Sequence, residues 1–441
     1  MVIAVCLVLA PSLAAQDSKL DELVEQELPT LLETYKQLHA APELSHHEEH
    51  TADFVAQRLR ALGYSVTDHL GKYERPEWTG YGVVAVLKNG AGPTVLVRTE
   101  LDALPVEEKT GLPYASQVHT QDDAGREVGV MHACGHDIHM TSLLGTAQVL
   151  ARLRGQWHGT LMLIAQPAEE AINGAAAMLA DGLYTRFPKP DYALALHDSP
   201  ALPAGQVGYT PGFALASSTS VEVTMRGQGG HGAAPQLAKD PIVAAAEFIL
   251  ALQTIVSREN SPFDPAVVTV GSIQGGTRPN IIPDEVHLAL SVRTYREETR
   301  RRILASIDRI ARGIALADGI PADLAPIVES TGTEYTPPLY NDPKLTERLA
   351  GVFRKTLGAQ NVVESPPAMA SEDFGRFGLE DRQIPVCMFT LGAADPGKFA
   401  ESQKRGKPLP GLHSSLFAPL PEPTVRTGVK AMSAAVLDLM Q

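Results

Sequence analysis

Apolar residues recur at helical spacing over residues 19–38 (Leu20, Leu23, Val24, Leu28, Leu31, Leu32, Tyr35, Leu38), and His39-Ala40-Ala41-Pro42 ends the run. A second amphipathic run covers residues 48–62 and stops at Gly63. The pattern then turns to short, continuous apolar stretches. One covers residues 83–87, bounded by Asn89-Gly90; another covers residues 94–97 and leads into Arg98-Thr99-Glu100-Leu101-Asp102. Both predict strands, the second covered on both faces with acidic residues directly at its C-terminal end. The arrangement repeats: a helical pattern through Leu143, Leu144, Ala147, Leu150 and Leu153 runs to Gly155, and a strand over residues 160–165 delivers Gln166-Pro167-Ala168-Glu169-Glu170. A helix over residues 175–183 precedes a strand over residues 192–196, which delivers His197-Asp198. Strands alternating with helices predict an α/β fold with a mainly parallel central sheet, its polar groups converging beyond the carboxyl ends of the strands.

The rhythm changes around residues 211–220. Strands over residues 221–225, 267–273, 286–292 and 323–328 and helices over 240–256 and 297–316 follow in the order β-α-β-β-α-β, which predicts a two-layer, ferredoxin-like α+β module. We place it as an inserted domain at 213–328, between catalytic segments 18–212 and 329–441. The second segment holds a helix over 343–357, the loop Met369-Ala370-Ser371-Glu372-Asp373-Phe374-Gly375, a strand over 386–391, a Gly/Pro/Lys-rich stretch to Pro410 and a final helix over 424–440.

Composition narrows the function. At 441 residues, 44% hydrophobic and 20% charged, the chain has room for two or three domains. Its 51 acidic against 37 basic residues, with no basic block longer than Arg300-Arg301-Arg302, argue against a nucleic-acid partner. Residues 2–9 are apolar and are followed by Pro11, Ser12, Ala14 and Ala15, the pattern of a secretory signal without its basic start. Residues 1–15 are therefore read as a signal peptide and the protein as exported, periplasmic or secreted; without a signal it is cytoplasmic. That run is too short to span a bilayer, and no other uninterrupted apolar run approaches 18 residues, so no membrane span is expected. Cys387, inside an apolar run, reads as a buried strand residue and not as a disulfide partner for Cys134.

The chemistry concentrates in Met131-His132-Ala133-Cys134-Gly135-His136-Asp137-Ile138-His139. Five ligand-type side chains crowd this segment, and thiolate plus imidazole suits zinc or another borderline transition metal. Adjacent glutamates after a buried strand, Glu169-Glu170, point in different directions, so one can hold a metal while the other faces water or substrate. Metal-assisted hydrolysis needs that division: a Lewis acid to acidify water and a free carboxylate to take its proton.

With His39-Ala40-Ala41-Pro42-Glu43-Leu44-Ser45, Asp102-Ala103-Leu104-Pro105, the 131–139 segment, Gln166-Pro167-Ala168-Glu169-Glu170, Gly229-Gly230-His231, Ser371-Glu372-Asp373-Phe374 and His413, the chain resembles the M20 metallopeptidase family. The match is to its amidohydrolase branch of aminoacylases, hippurate hydrolases and auxin-conjugate hydrolases, from about residue 20 to the end. The resemblance implies a zinc-exopeptidase-like catalytic domain interrupted by a lid or dimerisation domain. It implies two divalent metal ions, zinc or manganese with cobalt and nickel as further candidates, held by Cys134, His136, Glu170, His197 and His413, with Cys134 nearest to bridging. Glu169 would be the general base for a metal-activated water. His231 would stabilise the oxyanion, often across a homodimer interface built by the inserted domain. Asn280 would contact the substrate carboxylate, with Arg278 as a second candidate. Asp102 fits a carboxylate that orients a ligand; the branch usually has Asp where this chain has Glu100. His132, Asp137 and His139 are read as capping or supporting groups, and His39 and His46 as surface or packing residues. The expected substrate is an N-acyl amino acid, dipeptide or small peptide conjugate. Two other readings compete: a Cys134 nucleophile activated by His136 or His139, and an exported protein that binds a small solute or peptide without turnover.

Overall fold

The computed structural model describes residues 13–379 and 382–441; residues 1–12 of the segment read as a signal lie outside them, and its last three open the helix Leu13–Ala40. Eight strands form the central sheet, in the order Ser65–Leu70, Gly82–Asn89, Gly159–Gln166, Thr94–Glu100, Tyr192–Pro203, Val386–Ala394, Val207–Tyr209 and Val362–Glu364. The middle four run parallel to one another. Antiparallel pairs flank them, so the sheet is mixed with a parallel centre. Ser65–Leu70 and Gly82–Asn89 are joined by a loop with no helix in it, too short for a crossover, so they pair antiparallel.

Helices Leu13–Ala40, Glu49–Ala61, His136–Arg152, Pro343–Leu357 and Pro421–Leu439 supply the largest core, on one face of the sheet, with Tyr35, Trp157, Phe353 and Phe389 buried in it. On the other face, Met162, Ile164 and Leu96 pack against Met178, Phe374 and Phe377. The parallel centre is thus covered on both sides, which is why its strands read as unbroken apolar runs.

The second module is a four-stranded antiparallel sheet in the order Ala266–Gly275, Glu285–Thr294, Ser217–Arg226, Ile327–Thr336. Helices Pro241–Thr254 and Glu297–Ala317 pack on it through Phe248, Leu252, Ile303 and Ile307 against Val223 and Leu288. This is the ferredoxin-like arrangement expected from the β-α-β-β-α-β order. Its last strand runs on to Thr336 through polar residues that carry no apolar signal. Pro241–Glu259 is long and apolar enough to cross a membrane, with a mean hydropathy of 1.4 and 33% of it buried; Glu247 interrupts its apolar sequence. The Gly/Pro/Lys-rich stretch contains a helix, Pro396–Arg405, which buries no residue and so leaves no hydrophobic period; it starts on Asp395, whose Oδ1 accepts Lys398 N–H at 2.9 Å.

Candidate metal centre

The strand ends meet where an open α/β sheet binds its ligands. Asp102 follows the strand Thr94–Glu100, Glu169-Glu170 follow Gly159–Gln166, and His197 lies within Tyr192–Pro203. His136 opens its helix behind Gly135, whose φ of 80° and close approach to Asp198 leave no room for a side chain: a Cβ there would lie 2.3 Å from Asp198 Oδ1.

Ligand atoms of Cys134, His136 and His197 all lie within 4.8 Å of one another, and so do those of Cys134, Glu170 and His413. The structure therefore brings together all five residues that the resemblance implied, as two groups sharing one sulfur. The imidazoles are oriented by the main chain. His136 Nδ1 donates to the Asp102 carbonyl at 2.7 Å and His197 Nδ1 to the Asp198 carbonyl at 2.8 Å. In its neutral form each ring thus keeps the lone pair on Nε2, the tautomer a metal requires. His136 Nε2 and Glu170 Oε1 are buried without a hydrogen-bond partner, His197 Nε2 is 3.5 Å from Cys134 Sγ, and His413 Nε2 is 3.5 Å from Glu170 Oε1. His413 is half-exposed, but its N–H donates to the Ala133 carbonyl at 2.8 Å. Orphaned imidazole and carboxylate donors beside a thiol fit a pair of borderline divalent ions.

The electrostatics agree. Burial, then the nearby Glu170 and Glu169 carboxylates, push the Cys134 thiol well up. Burial, then Glu372 and Glu170, do the same to Glu169, and burial raises Glu170 to about 7. Burial disfavours a charged His136, yet its bond to Asp102 and the surrounding carboxylates raise its pKa to about 10. So many buried acids favour cations among them. They also hold Cys134 as a thiol until a cation offsets their charge.

Asp102 stands between two of the donors: Oδ2 accepts Glu170 N–H at 2.9 Å and the Ser45 hydroxyl at 2.6 Å, while its carbonyl holds His136. Behind them lies a buried ionic network. Arg98 pairs with Glu100, with Glu372 at 2.7 Å and with Asp373 at 3.2 Å, and its Nε donates to Gln166 Oε1 at 2.9 Å. Glu100 also accepts from His139 Nδ1 at 2.9 Å, and His139 Nε2 donates to Asp198 Oδ1 at 3.3 Å. The Ser371-Glu372-Asp373-Phe374 motif thus braces the strand ends: Asp373 also takes Gln166 Nε2 at 2.7 Å and Ala175 N–H at 3.0 Å. Sequence reading missed Arg98, although a charge inside an apolar strand is a signal in itself, since a buried guanidinium has to be paired. His39 is also more than packing: it is buried between Asp137, at 2.6 Å, and Glu108, at 3.1 Å, and these bonds overcome burial to raise its pKa to about 10.

His231, Arg278 and Asn280 gather elsewhere. His231 lies on a short strand paired with Ile281–Ile282, Gly232 N–H donates to the Asn280 carbonyl at 2.9 Å, and all three side chains are exposed. Among the described residues, no hydrogen bond or ion pair joins them to the five-residue cluster. A cleft of about 690 Å³ opens beside Glu170, walled by Tyr73, Trp78, Asn173, Ser220 and Arg376. Trp78 stacks on His46 with ring centroids 3.8 Å apart. Tyr73 and Trp78 share the loop before Gly82–Asn89, Asn173 precedes a helix, Ser220 lies in the strand Ser217–Arg226 and Arg376 in the short helix Asp373–Gly378, so no single motif announces them.

A parallel-centred sheet carrying Cys, His and Glu donors beyond its strand ends, with a ferredoxin-like module between its two halves, defines a peptidase-type α/β protein. The chain belongs to Peptidase family M20/M25/M40, whose model it matches over residues 96–404. It is 40% identical over 343 residues to the hippurate hydrolase of Campylobacter jejuni, covering 77% of this chain and 83% of that one. It is 34% identical over 412 residues to the N-acetyldiaminopimelate deacetylase of Lactobacillus acidophilus, covering 93% and 98%. Among solved structures it is similar to a dinuclear metal-binding peptidase of the M20 family from Bacillus subtilis, with a TM-score of 0.74 and 27% identity over 94% of this chain and 99% of that one.

Proposed function

We propose that this protein is a metal-dependent amidohydrolase that cleaves the amide of N-acyl amino acids, dipeptides or small peptide conjugates. The observation that carries this reading is the pair of donor groups meeting at Cys134, with Glu169 beside them. The hydrolase, deacetylase and dinuclear peptidase relatives support it. Cys134, His136, Glu170, His197 and His413 would hold two divalent ions, zinc or manganese by their donor set. Bound there, such ions lower the pKa of water and polarise a carbonyl.

The remaining chemistry belongs to the chain. Glu169 Oε2 lies 3.8 Å from His136 Nε2 and its side chain is buried. It is placed to take the proton of the attacking water and return it to the leaving amine, and a raised proton affinity suits that role. His231 Nδ1 accepts Ala233 N–H at 3.1 Å, which leaves Nε2–H free to donate to a developing oxyanion. Asn280, with Arg278 beside it, would take the substrate carboxylate.

We assign these exposed residues to the catalytic cleft of a second copy of the chain. Leu250 and Phe263, 74% and 93% exposed, and Ile273 on the edge strand Ala266–Gly275 are apolar side chains of this module that self-association would cover. Export rests on the signal-like pattern of residues 1–15. The test is hydrolysis of N-acetyl, N-benzoyl and long-chain acyl amino acids and dipeptides by protein stripped with a chelator and then reloaded with zinc, manganese or cobalt. Activity should vanish on stripping and return with metal; full activity in demonstrably metal-free protein would sink the reading.

A further inference from the structure

The turn that presents Glu169 and Glu170 is backbone the chain does not adopt freely. Ala168 has φ 47° and Ile172 φ 51°, both in the left-handed region without being glycine. Such a turn persists only where its surroundings over-determine it. Inside it, Gly174 N–H donates to the Ala168 carbonyl at 3.1 Å and Ile172 N–H to the Glu169 carbonyl at 2.6 Å. From outside, two buried carboxylates grip its main chain on either side of Glu169. Asp102 takes Glu170 N–H at 2.9 Å, and Glu48 Oε1 takes Ala168 N–H at 2.7 Å.

Glu48 is an unusual place for a carboxylate if packing were its purpose. It is fully buried, at 0% exposure, and its Oε2 has no hydrogen-bond partner. No side-chain bond caps its own helix, Glu49–Ala61. A buried, half-satisfied carboxylate costs stability, and an apolar residue of similar volume would fill the space at less cost. What the side chain does supply is an acceptor for Ala168 N–H, directly before the glutamate pair. Ser45, three residues earlier, bonds to Asp102 at 2.6 Å. The segment from Glu43 to Thr51, which the mechanism above leaves without a role, therefore reaches both carboxylates of the grip.

We infer that Glu48 is a positioning residue for hydrolysis: through Ala168 N–H it fixes the left-handed turn that aims Glu169 at the attacking water and Glu170 at the metal pocket. The inference rests on the amidohydrolase reading. It depends on an acceptor at the right reach, not on charge, and this separates it from a merely structural role.

The test compares wild type, Glu48→Gln, Glu48→Met and Glu48→Asp, each loaded with zinc, on the best N-acyl amino acid found for the wild type, with kcat, KM, bound metal and Tm measured. Glu48→Gln keeps a carbonyl oxygen at the same reach and should hold kcat within about threefold of wild type. Glu48→Met removes the acceptor and should lower kcat about 10- to 100-fold, the usual scale for loss of a supporting partner, with KM within about threefold and metal retained. Glu48→Asp keeps the charge but not the reach; it should fall with Glu48→Met and stands in for it if Glu48→Met does not fold. Wild-type kcat in Glu48→Met or Glu48→Asp, or equal loss in Glu48→Gln, would overturn the inference. A wild type fully active without metal would instead overturn the amidohydrolase reading, whatever the Glu48 variants do.

Discussion

The two sets of candidate site residues sit in opposite surroundings. Cys134, His136 and Glu169 are buried on strand and helix ends, with Asp102 and the Arg98 network fixed behind them. His231 stands exposed on a short two-stranded sheet, and Arg278 and Asn280 on the loop leading into its second strand, held mainly by their own backbone. The first set is preorganised, so on the proposed reading its chemistry is ready once metal binds. On the same reading, the second is complete only when it is brought over a catalytic cleft. This contrast separates residues that set the chemistry from residues that act on assembly or closure, and each can be tested against the other.

The largest effect should come from the buried side. Glu169→Gln keeps the shape of the side chain and its neighbours but cannot take a proton. It should lower kcat by about 10²- to 10⁴-fold, the range for a positioned general base, while bound metal stays at the wild-type level. Loss of metal in parallel with activity would show that Glu169 holds an ion instead. A protein that only bound solute would have no turnover to lose, and its affinity would be unchanged.

His231→Ala tests the exposed side. Removing an oxyanion donor should lower kcat about 10²- to 10³-fold with metal content and Tm unchanged, because the ring supports little of the fold. If His231 serves the neighbouring subunit, mixing and exchanging Glu169→Gln and His231→Ala dimers should restore activity. Half of the dimers would be mixed, each with one complete site, giving about a quarter of wild-type activity. No recovery after demonstrated subunit exchange would place His231 over its own chain's cleft.

The contrast also marks how far the sequence could be read. The parallel centre and the β-α-β-β-α-β module were legible because buried strands and amphipathic helices write their burial into residue type, as at Val95, Leu96 and Val97 or at Ile303, Ile307 and Ile310. Of the candidate metal-binding set, Cys134, His136 and Glu170 were legible in dense motifs, whereas His197 and His413 stood out only through the resemblance to the family. What stayed hidden depends on contacts between distant positions. Glu372 reaches Arg98 across 274 residues, Glu48 reaches Ala168 across 120, and neither partner marks the other by spacing. The helix Pro396–Arg405 was hidden for the opposite reason, since it buries nothing.

The smallest expected effect sharpens the boundary of the buried set itself. Glu100 lies close enough to His136 and His139 to form a third group of ligand-type atoms, so geometry alone leaves it open whether Glu100 holds metal or holds side chains. Its oxygens already serve Arg98 and His139, and although burial opposes ionisation, these two cations keep its carboxyl well below the ordinary range. Both of its roles are thereby occupied inside the protein, which makes it a brace. Glu100→Asp shortens the brace by one methylene, so one of the two contacts is lost while the charge remains. The cost should be about 1–3 kcal/mol of stability, the scale of one buried hydrogen bond to a charged group, read as a lower Tm. Bound metal and kcat should stay within about twofold of wild type, since the rings of His136 and His197 are held by main-chain carbonyls that the substitution does not touch. If metal content fell by half with Tm unchanged, Glu100 would move from the brace into the ligand set.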